Sequence, residues 1–232
     1  MNKSLTEKYK QDFNTALNIY ENSHSREYLL ELLKNGSIAE KQASAIQLDQ
    51  ICTPKEAEIF INNLTGCDGK IREAVSFRLK EFLPQNPEFY EKFANIFLEA
   101  IIDINGNICR NTIEAIQSLK NSPNFINEFC PKLIKKTLQI IPPILSFDIQ
   151  EGKYKINKEV FKLYWYLESV STFVEFIAPE DLLEILTKTK NIKDYTIREK
   201  TAKTLSEIKN SPNFDKLKEE LKQDENYYVR RV

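Results

Sequence analysis

Apolar residues recur along this chain at helical spacing and almost nowhere in alternation. After Asp68 and Arg72, the positions Val75, Ser76, Leu79 and Phe82 fall on one helix face. After Asp194 and Arg198, Thr201, Ala202, Leu205 and Ile208 repeat the same offsets. Asn105 leads in the same way to Thr112, Ile113, Ile116 and Leu119, and Ser37 to Ser44, Ala45, Leu48 and Ile51. This spacing is that of one buried helix face. The small residues Ser76, Ala202 and Ala45 would let a neighbouring helix approach closely.

Between these stretches the chain carries helix-start chemistry. Lys120-Asn121-Ser122-Pro123-Asn124-Phe125 recurs unchanged as Lys209-Asn210-Ser211-Pro212-Asn213-Phe214, and Asn86-Pro87-Glu88-Phe89 is a third version. Ser or Asn caps a helix, and Pro suits the first position because its missing N–H has no intrahelical partner there. The Phe is then expected to face the core. Ser37 with Glu40 and Thr53 with Glu56 fit the capping box. These signals predict outer helices near 25–34, 54–65, 87–103, 123–141, 179–190 and 212–222. Inner helices are predicted near 37–51, 68–83, 105–120, 157–177 and 194–209. A first helix near 4–21, with Leu5, Tyr9, Phe13, Leu17 and Tyr20 on one stripe, is expected to cap the stack.

The regular interval fails once. Pro142-Pro143 reads as a helix break, and Ile144 to Ile156 alternates around Gly152 as a short hairpin or extended loop would. We read residues 142–156 as an insertion. The longer inner helix after it holds Phe161, Tyr164, Trp165, Tyr166, Phe173 and Phe176. A helix apolar on more than one side is either buried on both or carries a binding patch.

The repeated Asp68, Ile71, Arg72 and Asp194, Ile197, Arg198, with their apolar ladders, resemble the HEAT-repeat family, including the short HEAT-like repeats of bacterial proteins. Asn226-Tyr227-Tyr228-Val229-Arg230 looks like a further copy. The resemblance implies an all-α fold, a right-handed α-solenoid of stacked antiparallel helix pairs, with Asp and Arg forming a ladder between neighbouring repeats. Cys109 and Lys41 stand where that ladder has Arg. We expect a single unit over 1–232, with 1–24 as the capping helix and about five and a half helix pairs over 25–232. The final copy begins an inner helix and stops, so that end is expected to dock, to self-associate or to continue in a longer protein.

Composition narrows the function. The single histidine, His24, lies in a polar loop segment, which leaves no His set for zinc or Ser-His-Asp chemistry. Cys52, Cys67, Cys109 and Cys130 form no CxxC pair, and none of the 5 glycines forms a phosphate loop. Cys67 precedes Asp68 at a helix start, where a thiol is activated, but space-filling is the simpler reading. With 33 basic against 34 acidic residues the net charge is -1, and charge also nearly cancels along the inner stretches, so no polyanion-binding stripe emerges. The start Met1-Asn2-Lys3-Ser4 is polar, and no window is apolar enough to span a membrane.

The expectation is a cytoplasmic, non-enzymatic scaffold that needs no cofactor and binds another protein or a peptide. Binding would use the solenoid groove or the 142–177 region, with Phe147, Tyr154, Phe161, Tyr164 and Trp165 as candidate contacts. The alternative is a nucleic-acid-binding HEAT-like protein of the DNA glycosylase kind. Bilin-lyase-like activity is a third class, with no residue here to carry it.

Overall fold

The computed structural model describes residues 2–146, 153–208 and 212–232, and among these the chain is all-α, with no strand. Where one continuous unit was expected, packing divides the chain into two compact units, the first comprising 1–100 and 104–122, the second 101–103 and 123–232.

The first unit contains α1 (Asn2–Glu21), α2 (Arg26–Asn35), α3 (Ile38–Gln47), α4 (Pro54–Ile61), α5 (Gly69–Phe82), α6 (Ala94–Ala100) and α7 (Gly106–Ile116). Helices α3, α5 and α7 lie side by side, with α2 against α3 and α4, and α6 against α7. The second contains α8 (Pro123–Leu145), α9 (Lys153–Thr172), α10 (Pro179–Thr189), α11 (Tyr195–Glu207), α12 (Pro212–Lys222) and α13 (Tyr227–Arg230). Here α9, α11 and α13 form one row and α8, α10 and α12 the other. Each unit is thus a short helical-repeat stack in which an element packs on its neighbours in sequence.

The polar signals at Ser37 and Thr53 cap their helices as predicted, whereas the Asn86 side chain makes no cap and donates to Ile51 O (3.3 Å). Ser37 and Glu40 close a capping box, and Thr53 accepts from the Glu56 N–H. Phe125 and Phe214, two residues after their helix-starting prolines, are fully buried. Between repeats, polar contacts join neighbouring elements: Lys92 to Glu58 (2.7 Å), Lys80 to Glu114 (3.3 Å), and Asn111 Nδ2 donating to Ser76 Oγ (3.2 Å).

The Asp and Arg residues work differently from the ladder the resemblance implies. Asp68, Asn105, Asp194 and Asn226 are each the N-cap of their own helix, accepting from backbone N–H groups two or three residues on. In each the bonded oxygen is Oδ1, which satisfies donors the first helical turn would otherwise leave orphaned. The arginines reach back instead. Arg72 donates to Gly66 O (2.6 Å), Arg198 to Ile192 O (3.0 Å) and Lys193 O (2.7 Å), and Arg230 to Asp224 O (2.6 Å) and Glu225 O (2.8 Å). Each Arg therefore clamps the loop that enters its helix. Gly66, at φ +121°, supplies the turn that aims its carbonyl at Arg72. Arg198 also crosses to the next repeat, through both oxygens of Asp224 (2.6 and 3.1 Å).

Three further expectations are corrected. Residues 87–103 were read as one helix, but 87–93 form two 3-10 turns before α6 begins at Ala94. Pro142-Pro143 does not break the chain; α8 runs on to Leu145, and Ser146 N–H still reaches Pro142 O (3.0 Å). Both prolines are exposed in the last helical turns, where few hydrogen bonds remain to lose, and Ile140, Ile141 and Ile144 anchor those turns in the core. No hairpin or extended loop occupies Ile144–Ser146, which is the end of α8, or 153–156, which is already α9; residues 147–152 lie outside the described residues.

The first helix is also oriented differently from the reading. It packs on α3 through the side that carries Ala16 and Ile19, whereas the predicted stripe faces outward. Tyr9 is 68% exposed, Phe13 65%, Leu17 38% and Tyr20 44%.

Several buried polar atoms among the described residues lack a hydrogen-bond partner, and the Tyr90 hydroxyl is one of them. Tyr90 is fully enclosed in the first unit, its hydroxyl has no hydrogen-bond partner, and burial, with Glu56 nearby, pushes its pKa far up. Removing an unpaired buried hydroxyl relieves its desolvation cost. Tyr90→Phe is therefore expected to raise stability by about 1 kcal/mol, read as a higher urea midpoint; a lower midpoint would show that the hydroxyl is bonded in solution.

Candidate functional site

Two kinds of surface stand out in the second unit. The larger is a groove along α8, closed on its other side by the turn at Phe176 and the start of α10, with a volume of about 710 Å³. Its wall is apolar: Ile126, Pro131, Ile134, Leu138, Phe176 and Ala178, with Cys130 at the base. Burial pushes the Cys130 thiol up to about 11, so the floor carries no thiolate near neutral pH. Asn127, Lys135, Gln139 and Asp181 supply polar positions of both signs around it.

The prolines of α8 give this groove its backbone chemistry. An α-helical carbonyl accepts from the N–H four residues ahead. Pro131, Pro142 and Pro143 have none, so the carbonyls of Asn127, Leu138 and Gln139 lack that donor. All three of these residues line the groove. Residues whose carbonyls lack the usual helical donor thus line the same groove as the apolar side chains. That combination suits a ligand with apolar side chains and N–H donors.

The second surface lies at the N-terminal ends of α11 and α13. Tyr195 stacks on Tyr228 (centroids 6.1 Å apart), Tyr227 meets Tyr228 edge-on (5.8 Å), and the Arg231 guanidinium covers the Tyr228 ring at 4.9 Å. All three tyrosines are exposed.

The aromatic positions singled out in the sequence separate into different environments. Trp165 is only 8% exposed, with Phe161 and Tyr164 edge-on to its ring and its Nε1 unpartnered. It belongs to the packing of α9, along with Leu163, Tyr166, Leu167 and Val170, and is corrected from contact residue to core. Phe161 is exposed, and Tyr164 is half-buried beneath the Lys200 ammonium (4.9 Å), which also pairs with Glu168. Phe147 lies outside the described residues; Tyr154 falls within α9, its side chain outside them. Phe161, Tyr164 and Trp165 do not line the groove. The sequence predicts a helix over 123–141; what it missed is the continuation of α8 through Pro142-Pro143 and the groove along it. Three prolines inside a stretch whose Phe125, Phe129, Leu133, Ile140 and Ile144 keep helical spacing was the available signal.

The remaining candidates are plainly placed. His24 sits in the turn between α1 and α2, half-buried and stacked on Tyr28 (4.9 Å). All four cysteines are free; Cys109 and Cys130 fill space, whereas Cys52 and Cys67 are exposed, which corrects the space-filling reading of Cys67. Among the described residues no helix is long and apolar enough to cross a membrane.

Comparison with known proteins adds no family. No family model matches the chain, and no curated protein matches it. Among solved structures it is similar to two engineered proteins from the Northeast Structural Genomics Consortium. One has a TM-score of 0.45 at 15% identity, covering 90% of this chain and 95% of that one. The other has a TM-score of 0.47 at 11% identity, covering 90% and 93%.

Proposed function

We propose that the chain is a non-enzymatic protein-binding module of the HEAT-repeat type, acting in the cytoplasm and taking a peptide segment of another protein in the α8 groove. The observation that carries this reading is the coincidence of the apolar wall with the three carbonyls deprived of their helical donors. A peptide with apolar residues at i, i+3 or i+4 fills such a wall, and its rim donors meet the acceptors. Lys135 and Asp181 set its polarity. The four free cysteines accord with a reducing compartment.

The test is selection from a random peptide library displayed on phage against the full chain. Recovered peptides should carry apolar pairs at helical spacing and bind Ile134→Asp at least tenfold more weakly, with circular dichroism showing that the variant is folded. Phe176→Ala, at an exposed position, should weaken the same peptides. The proposal fails if nothing is enriched, or if the enriched peptides bind both variants as well as wild type. A second reading, nucleic-acid binding, draws on the tyrosine cluster beneath Arg231, since bases stack on such rings.

A further inference from the structure

The outward stripe of α1 is the largest run of exposed apolar side chains on one described helix, with Tyr9, Phe13, Leu17 and Tyr20 following one another at steps of three and four. The face α1 gives to α3 is about a quarter turn away, so one helix has two working sides. Taking an aromatic side chain as about 200 Å², the stripe leaves roughly 400 Å² open. That is the size at which the largest patch of a monomer usually has a role.

The charges of the helix say what would cover it. Residues 1–10 carry Lys3, Lys8 and Lys10 against Glu7, and residues 11–21 carry Asp12 and Glu21 with no basic residue. One half is therefore basic by two and the other acidic by two. We infer that α1 pairs antiparallel with α1 of a second copy of this chain. Turning a copy end for end sets each basic half against an acidic half and opposes the helix dipoles. Centred on Phe13, the pairing puts Phe13 against Phe13 and Tyr9 against Leu17, with Tyr20 opposite Thr6. The contact is isologous, as a two-fold dimer requires. Two stripes bury roughly 800 Å², below the standard size of a stable interface. The dimer is consequently weak and concentration-dependent. Its consequence is bivalency: two grooves carried by one dimer bind a partner with two segments far more tightly than either groove alone.

Sedimentation velocity on the full chain from about 1 to 200 μM tests this. The wild type should pass from monomer to dimer across that range, and Phe13→Glu, at an exposed position that leaves the fold intact, should stay monomeric throughout. Lys8→Glu with Lys10→Glu tests orientation. In an antiparallel pair it sets acidic against acidic and weakens association about tenfold; in a parallel pair, where the acidic halves already meet, it leaves association unchanged or improved. A wild type that is monomeric at every concentration overturns the inference. So does a dimer that survives Phe13→Glu, or a monomer that instead floats with vesicles of phosphatidylserine and phosphatidylcholine through the same face.

Discussion

Arg198→Ala should lower the stability of the second unit by about 3–5 kcal/mol. The side chains of Arg198 and Asp224 are each 9% exposed, and their paired hydrogen bonds form a buried ionic contact from one repeat to the next. Deleting the guanidinium leaves a buried carboxylate without its partner and strips Ile192 O and Lys193 O of their donor. The cost comes from what is left uncompensated more than from the attraction lost. Arg198→Lys should recover little, because an ammonium cannot reproduce the two-pronged contact. Urea unfolding followed by circular dichroism reads the effect; a change under about 1 kcal/mol would class the pair with exposed ion pairs. Acid should act on the same bond. The Arg198 hydrogen bond holds the Asp224 carboxyl below its ordinary value. A carboxylate lowered in the folded state contributes stability that is present above its unfolded pKa and is lost as the pH falls through the folded one. The stability gap between wild type and Asp224→Ala should therefore be constant near neutrality and close below about pH 4.

Phe173→Ala should be about as damaging, at about 3–5 kcal/mol. Phe173 is fully buried where α9 meets α8, its ring 5.2 Å from Phe129 and 6.2 Å from Phe125, which are themselves stacked at 4.8 Å. Truncation removes the transfer energy of the ring and leaves a cavity walled by two phenyl groups with little freedom to close it. Phe173→Leu keeps most of the volume and should cost less than about 1.5 kcal/mol. Equal losses from the two variants would mean that ring stacking, not volume, is what the cluster contributes.

Local chemistry was the legible part of the fold. Ser37 and Thr53 act as caps as predicted because the signal and the structure it sets are a few residues apart; Asp68 and Asp194 cap as well, where the resemblance implied a ladder. The recurrent Arg was legible as a repeat marker, but its partner was not. Arg198 finds Asp224, in a loop whose distance from the helix depends on the packing of α12. The α1 stripe failed for a different reason: periodicity tells which residues share a face, not whether that face is covered. Ala16 and Ile19 are a thinner apolar signal than Tyr9 and Phe13, yet theirs is the side that packs. The groove was hidden by a sound rule applied too broadly. Paired prolines disfavour helix interiors, but in the exposed final turns of a well-anchored helix they remove donors without ending it. The residues deprived of donors, Asn127, Leu138 and Gln139, could then be counted off the sequence once α8 was known to be continuous.

The protein-binding account is tested most directly by placing a photoreactive benzoylphenylalanine at Ile134, in the wall of the groove, and irradiating the full chain in a native lysate. The account predicts a discrete adduct that resists nuclease. Mass spectrometry should map it to one apolar, donor-bearing peptide, and adding Phe176→Ala should abolish it. A nuclease-sensitive adduct, or an adduct pattern unchanged when the photoreactive residue is moved to exposed Lys34 on α2, would contradict it.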